Sequence, residues 1–190
     1  MPAASTPLRI YHTEPSSRSN GPGWRAVIWL QGCTLGCPGC FNPETHPQPA
    51  GRIAGTDELA EWVLSLSGKI EGLTISGGEP LQQMNGLLPL LERIRAASNL
   101  SVVLFSGYTW GEIHKMPRSH QLLASIDVLL AGRYHSELRQ ARGLLGSKNK
   151  TVHFLTTRYS QADLDAVPEA EVILTDHGEI IFSGINPVKW

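Results

Sequence analysis

The sequence predicts an α/β fold: a partial, open β/α barrel of about five or six parallel strands, with flanking helices and a C-terminal hairpin. Three observations carry this expectation. Apolar runs of strand length alternate with helix-like stretches along most of the chain, the pattern of a parallel sheet with crossover helices. The 190 residues suit five or six such units, whereas a complete eightfold barrel takes about 250 residues. The residues suited to chemistry follow directly after the apolar runs, where α/β folds gather their reactive groups.

The elements follow in chain order. The segment to Trp24 is rich in Pro, Ser, Gly and Asn, with one apolar patch from Leu8 to Tyr11. It predicts an edge strand and a mobile loop over 1–24, leading into a single domain over 25–190. AVIWL (26–30) is the first long strand. Thr56 and Asp57 read as the N-cap region of a helix to Leu66, with Leu59, Ala60, Val63, Leu64 and Leu66 as its apolar face. GLTIS (72–76) is the next strand, followed by a helix from Leu87 to Ala97. SVVLF (101–105), a short helix around Trp110 to Lys115, a further helical piece, SIDVLLAG (125–132), TVHFLTT (151–157) and EVILT (171–175) continue the series. In ILTDHGEIIF, Asp176, His177 and Gly178 lie between two apolar runs. They predict a hairpin turn with Gly178 at positive φ, which makes His177 a turn residue rather than a ligand.

Composition excludes several classes. With 16 Lys+Arg against 17 Asp+Glu and no block of like charge, the chain carries no footprint for nucleic acid or a membrane surface. No apolar run reaches the roughly 18 residues of a membrane span, and the N-terminal stretch lacks the apolar core of a signal peptide; the expectation is a cytoplasmic protein. All 3 cysteines fall within QGCTLGCPGCFNPETH, residues 31 to 46. Such an odd, tight set closes only tiny disulfide loops and suits reduced thiols acting as ligands.

Five short motifs carry the chemistry. Cys33, Cys37 and Cys40 are spaced CxxxCxxC among Gly32, Gly36 and Gly39, a loop able to wrap a compact inorganic core. Three thiolates fit a 4Fe–4S cluster with one open iron. The alternatives are a zinc site completed by His46 and a redox pair of Cys37 and Cys40. SGGEP follows the second strand: Gly77 and Gly78 let backbone amides approach a ligand, Glu79 adds an acceptor and Pro80 stiffens the exit. Ser106, Gly107 and Tyr108 follow the third strand, and Gly132, Arg133 and Tyr134 the fourth. GSKNK (146–150) reads either as a solvated polar turn or as a substrate-side loop.

With these motifs together, the sequence resembles the radical S-adenosylmethionine (SAM) superfamily, which carries CxxxCxxC after its first strand and a GGEP-type turn after its second. The resemblance implies that Cys33, Cys37 and Cys40 hold a 4Fe–4S cluster whose open iron is chelated by the amino and carboxylate groups of SAM. It implies that the Gly77–Pro80 turn meets the methionyl amino group, and that reductive cleavage of SAM gives a 5′-deoxyadenosyl radical. GPGWRAVIWLQGC, CPGCFNPETH, TISGGEPLQQ, LFSGYTW, IDVLLAGRY and GSKNK narrow the likeness to the activating enzymes of anaerobic ribonucleotide reductase and their relatives, over about Gly21 to Gly184. Those enzymes remove a glycine Cα hydrogen from a partner glycyl radical enzyme. By position, Ser106, Gly107 and Tyr108 would sit near the ribose or the methionyl carboxylate, Asn42 would lie beside the cluster loop, and Arg133 would touch SAM or stand exposed. Where relatives carry an aromatic residue before the last cysteine this chain has Gly39, which passes adenine contact to Phe41 or to backbone. Thr34, Leu35, Gly36 and His46 also depart from the activating-enzyme pattern. The implied partners are a larger glycyl radical enzyme and an electron donor such as flavodoxin or ferredoxin. A radical SAM enzyme acting on a metabolite or short peptide, and a non-catalytic Fe–S or zinc module, remain the alternatives.

Overall fold

In the computed structural model, which describes residues 6–40, 42–175 and 177–186, the main sheet contains β1 (Pro7–Ser17), β2 (Arg25–Leu30), β3 (Arg52–Gly55), β4 (Gly72–Gly77), β5 (Ser101–Phe105) and β6 (Val128–Ala131). After a small hairpin of β7 (Arg139–Arg142) and β8 (Leu145–Ser147), β9 (Thr151–Phe154) completes it. The spatial order is β3-β1-β2-β4-β5-β6-β9. β2, β4, β5 and β6 are parallel, with Val27, Thr74, Val103 and Val128 in register across them.

These four strands are the apolar runs of the sequence, and both of their faces are covered, which is why they read as near-continuous hydrophobic stretches. On one face Ile28, Ile75 and Leu104 pack against α1 (Thr56–Ser65) and α2 (Met84–Ala97) through Leu59, Val63, Leu88, Leu91 and Ile94. On the other face Val103, Val128 and Leu130 meet Leu144 and Leu164, the latter from α5 (Gln161–Asp165). The short α3 (Trp110–His114) and α4 (Ser119–Ala124) join β5 to β6. α3 starts at a capping box in which Thr109 and Glu112 satisfy each other's backbone N–H groups. At the amino ends of the strands the fully buried Arg25 donates to Thr74 Oγ1 (2.8 Å), Leu73 O (2.7 Å) and Ser101 O (3.1 Å), tying β2, β4 and β5 together.

Three expectations change. β1 is not an edge strand: it lies between β3 and β2, antiparallel to both, and β3, from a stretch with no apolar run, takes the edge. The parallel strands number four, not five or six, because β9 pairs antiparallel with β6. The β6–β9 connection carries a hairpin and no crossover helix, and only a crossover returns a strand parallel to its neighbour. EVILT does not join the sheet. It forms β10 (Ala170–Leu174), paired with β11 (Ile180–Gly184) in the expected C-terminal hairpin, with Gly178 at φ 80°. This hairpin is fastened to the β1–β2 loop: Glu171 accepts from the Ser17 hydroxyl, the Ser19 hydroxyl (2.9 Å) and the Arg18 N–H (2.9 Å), while Asn20 donates to Ser183 (2.7 Å).

Candidate active site

The cysteine loop leaves β2 at Leu30 and is tied down at both ends of its base. Gly32 N–H donates to Thr45 O (2.7 Å), Cys33 N–H to His46 O (3.2 Å), and the Gln31 side chain to Pro47 O (2.8 Å). Within the loop Cys40 N–H donates to Cys37 O (3.2 Å). Gln82 grips the outer turn, accepting from Thr34 N–H (3.2 Å) and donating to its hydroxyl (2.8 Å).

The glycine turn is pressed against that base. Gly77 has φ 104°, and a Cβ there would stand 2.3 Å from Leu30 backbone atoms; at Gly78 it would stand 2.3 Å from Gly32 O. Only glycine permits this approach. The expectation that the Gly78 amide faces a ligand is corrected: its N–H donates to Leu30 O (2.7 Å), and Glu79 N–H donates to Gly32 O (2.9 Å). Glu79 is buried and bridges two strand ends. One carboxylate oxygen accepts from Leu81 N–H (3.0 Å) and Ser106 Oγ (2.9 Å), the other from Gly107 N–H (2.6 Å). Burial raises its pKa, against the lowering effect of these donors and of the Lys150 charge.

At the end of β5, Gly107 supports the cysteine loop, for a Cβ there would lie 2.3 Å from Leu35 Cδ1. Lys150, in the GSKNK loop that reads as either a solvated turn or a substrate-side loop, is folded inward. Its ammonium donates to Gly132 O and Ser106 O, burial lowers its pKa, and Glu79, Cys37 and Cys40 act electrostatically to raise it.

These groups open onto one cavity of about 720 Å³ at the carboxyl ends of the parallel strands. Cys33, Cys37, Cys40, Asn42, Gly77, Gly78, Glu79, Ser106 and Gly107 line it, as does Lys150. Pro80 is buried beneath the turn, starting a short 3₁₀ helix. Tyr108 and Arg133 lie outside the lining. Arg133 pairs with Glu112, donates to Gly107 O (3.4 Å) and sits 5.4 Å from the Tyr108 ring centre, and Cys37 acts on it electrostatically. Phe41 and Asp176, with Trp190, lie outside the described residues. The far wall is the C-terminal hairpin, from Ile181 to Ile185.

The donor set fits an iron–sulfur cluster. The three cysteines are free, half-buried thiols on one loop at the cavity, enough for three corners of a four-iron core with room beside the fourth. Burial holds Cys33 and Cys40 up as thiols, with the neighbouring cysteines adding to the effect; metal binding displaces such protons. Among the described residues no three His, Cys, Asp or Glu side chains surround a single metal position.

Comparison with known proteins gives the same direction. Residues 19–153 match the family described as a 4Fe-4S single cluster domain. The anaerobic ribonucleoside-triphosphate reductase-activating protein of Haemophilus influenzae is 33% identical over 149 residues, covering 73% of this chain and 93% of that protein. The protein of the same name from Escherichia coli K12 is 32% identical over 155 residues, covering 78% and 99%. Among solved structures, QueE from Escherichia coli aligns over 54% of this chain and 53% of its own, with TM-score 0.45 and 18% identity. By the extent of the family match and the identity shared over nearly the whole length of these relatives, the chain belongs to the 4Fe-4S single cluster domain family, in the company of the anaerobic ribonucleoside-triphosphate reductase-activating proteins.

Proposed function

We propose that this chain is a radical SAM activating enzyme that takes a hydrogen atom from a glycine Cα of an anaerobic ribonucleotide reductase. The observation that carries the reading is the meeting of the cysteine loop, the Gly77–Pro80 turn, the Ser106–Gly107 strand end and Lys150 on one cavity. When bound, a cluster on Cys33, Cys37 and Cys40 and a SAM beside it supply hydrogen-atom abstraction by one-electron cleavage of the sulfonium.

The chain's own residues hold and orient. An amino group is a donor, so the Gly77–Gly78 turn, whose Gly78 N–H is already engaged, meets it through carbonyl oxygens. Lys150 offers a half-buried positive charge to a carboxylate. Ser106 and Gly107 are fixed by Glu79 to face the remainder of the ligand, with Asn42 on the cysteine side; adenine contact by Phe41 belongs to the same reading. Tyr108 and Arg133 support from outside. In the same reading residues 25–190 form one partial-barrel domain with 1–24 as its lead-in, the electron donor is of the flavodoxin or ferredoxin kind, and the site of action is the cytoplasm. No helix of the described residues is long and apolar enough to cross a membrane.

The test is anaerobic reconstitution with iron and sulfide, followed by incubation with SAM, a reductant and reductase deuterated at glycine. Deuterium in 5′-deoxyadenosine and a glycyl radical signal are expected; cleavage of SAM with neither sinks the reading. The hairpin that walls the cavity supplies cover that an open barrel would need from a protein partner. That observation favours a second reading, a short peptide or metabolite as substrate, supported if such a molecule alone stimulates cleavage.

A further inference from the structure

We propose that Tyr11, His12 and Trp29 form a substrate subsite that seats an extended, uncharged, glycine-containing polypeptide segment beside the cysteine loop; this rests on the activating-enzyme reading above. Along β1 the register against β2 slips between Ile10 and His12, so that His12 stands opposite Trp29. Successive residues of a regular strand point to opposite faces. The bulge breaks that alternation, and Tyr11 and His12 both line the cavity, together with Trp29. The His12 and Trp29 ring centres are 5.5 Å apart with the planes inclined at 34°. His12 and Trp29 thus make one aromatic wall, with Tyr11 beside His12 in β1 lining the same cavity.

The wall is set apart from Ser106, Gly107 and Lys150, the groups that would hold the far part of SAM. β1 lies three strand positions from β5, about 14 Å at the usual strand spacing, and Ser106, Gly107 and Lys150 gather at that far side. Trp29 belongs to the strand that runs into the cysteine loop. An occupant of the wall therefore lies next to the cluster ligands, across the cavity from Ser106, Gly107 and Lys150.

Its chemistry follows from the side chains. Tyr11 is 48% exposed, and among the described residues the phenol, the imidazole and the indole N–H have no hydrogen-bond partner. Phenol and indole donors suit peptide carbonyls, and aromatic faces accept a Cα–H most closely from a residue without Cβ. None of the three wall side chains is a carboxylate, lysine or arginine, although His12 interacts electrostatically with Glu14, so the wall offers a segment hydrogen bonds and ring faces before ion pairs.

The test uses the full chain, reconstituted, with a fluorescent peptide copied from the glycine segment of the reductase. Tyr11→Ala and His12→Ala change exposed side chains and leave the core intact; Trp29→Phe keeps the ring and removes its donor. Peptide Kd by anisotropy is expected to rise about tenfold or more in the Tyr11→Ala/His12→Ala double variant and less in Trp29→Phe, with SAM affinity within twofold of the parent. Unchanged peptide affinity overturns the proposal, as does an equal loss of SAM affinity, which assigns the wall to the cofactor. If the parent transfers deuterium from the reductase while the variants bind peptide normally, the subsite fails and the function stands; if the parent neither binds peptide nor transfers deuterium, both fail.

Discussion

Replacing Glu171 with Ala should detach the wall of the cavity while leaving the sheet intact. One carboxylate receives the Ser17 hydroxyl, the Ser19 hydroxyl at 2.9 Å and the Arg18 N–H at 2.9 Å. It is the main polar fastening between the C-terminal hairpin and the β1–β2 loop, the other being Asn20 to Ser183 at 2.7 Å. Ser17 and Ser19 are buried, so their hydroxyls lose an acceptor where water does not replace it freely. Hydrogen bonds to a charged group contribute about 1.5–3 kcal/mol. Taking that as the net loss for the half-exposed cluster, the detached population rises about tenfold to 150-fold. The assay is amide hydrogen exchange of Ile180–Gly184 by mass spectrometry, with Val103 and Leu104 of the central sheet as internal reference. Exchange in the hairpin should quicken by that factor, and the reference should not move. Glu171→Gln, which keeps one acceptor oxygen, should fall between. Hairpin exchange within twofold of the parent would show that apolar contacts alone hold the wall, and the latch argument would be wrong.

Other expectations follow from the site. Gly78→Ala pushes a methyl into Gly32 O and should lower iron bound per chain after reconstitution, whereas Gly111→Ala, with nothing within 4 Å, should leave it unchanged and melt no lower. Glu79→Ala strands the Ser106 hydroxyl and the Gly107 N–H and should destabilise the fold by about 1–3 kcal/mol, read by chemical denaturation. Glu112 is held down to about 2, first by the Arg133 hydrogen bond and then by Thr109. Its folded pKa is depressed, so the associated stability is present above the ordinary carboxylate range and fades as pH falls toward 2. Arg133→Ala should move the Glu112 carboxyl titration upward by NMR; an unmoved titration would refute the pairing as cause.

Much of the site was legible because its signals are local. Strand-length apolar runs became β2, β4, β5 and β6, and the motif residues follow them at their carboxyl ends. The glycines of the SGGEP turn mark a close approach, since an absent Cβ is written into the sequence whatever it faces. What they approach was not written there: the turn packs on the cysteine loop itself, with the Gly78 amide taken by Leu30. That contact joins residues 48 positions apart and exists only once β2 and β4 lie side by side.

The sequence by itself determined the cysteine spacing, the positions of the strands that became β2, β4, β5 and β6, the two long helices and the C-terminal turn at Gly178, because helix and strand periodicity and glycine conformation act over a few residues. Tertiary structure alone decided the direction of β9, the interior place of β1, the pairing of Arg133 with Glu112 and the inward fold of Lys150. Each of these depends on a partner distant in the chain, and a polar side chain in a loop reads the same whether the fold leaves it in water or closes over it.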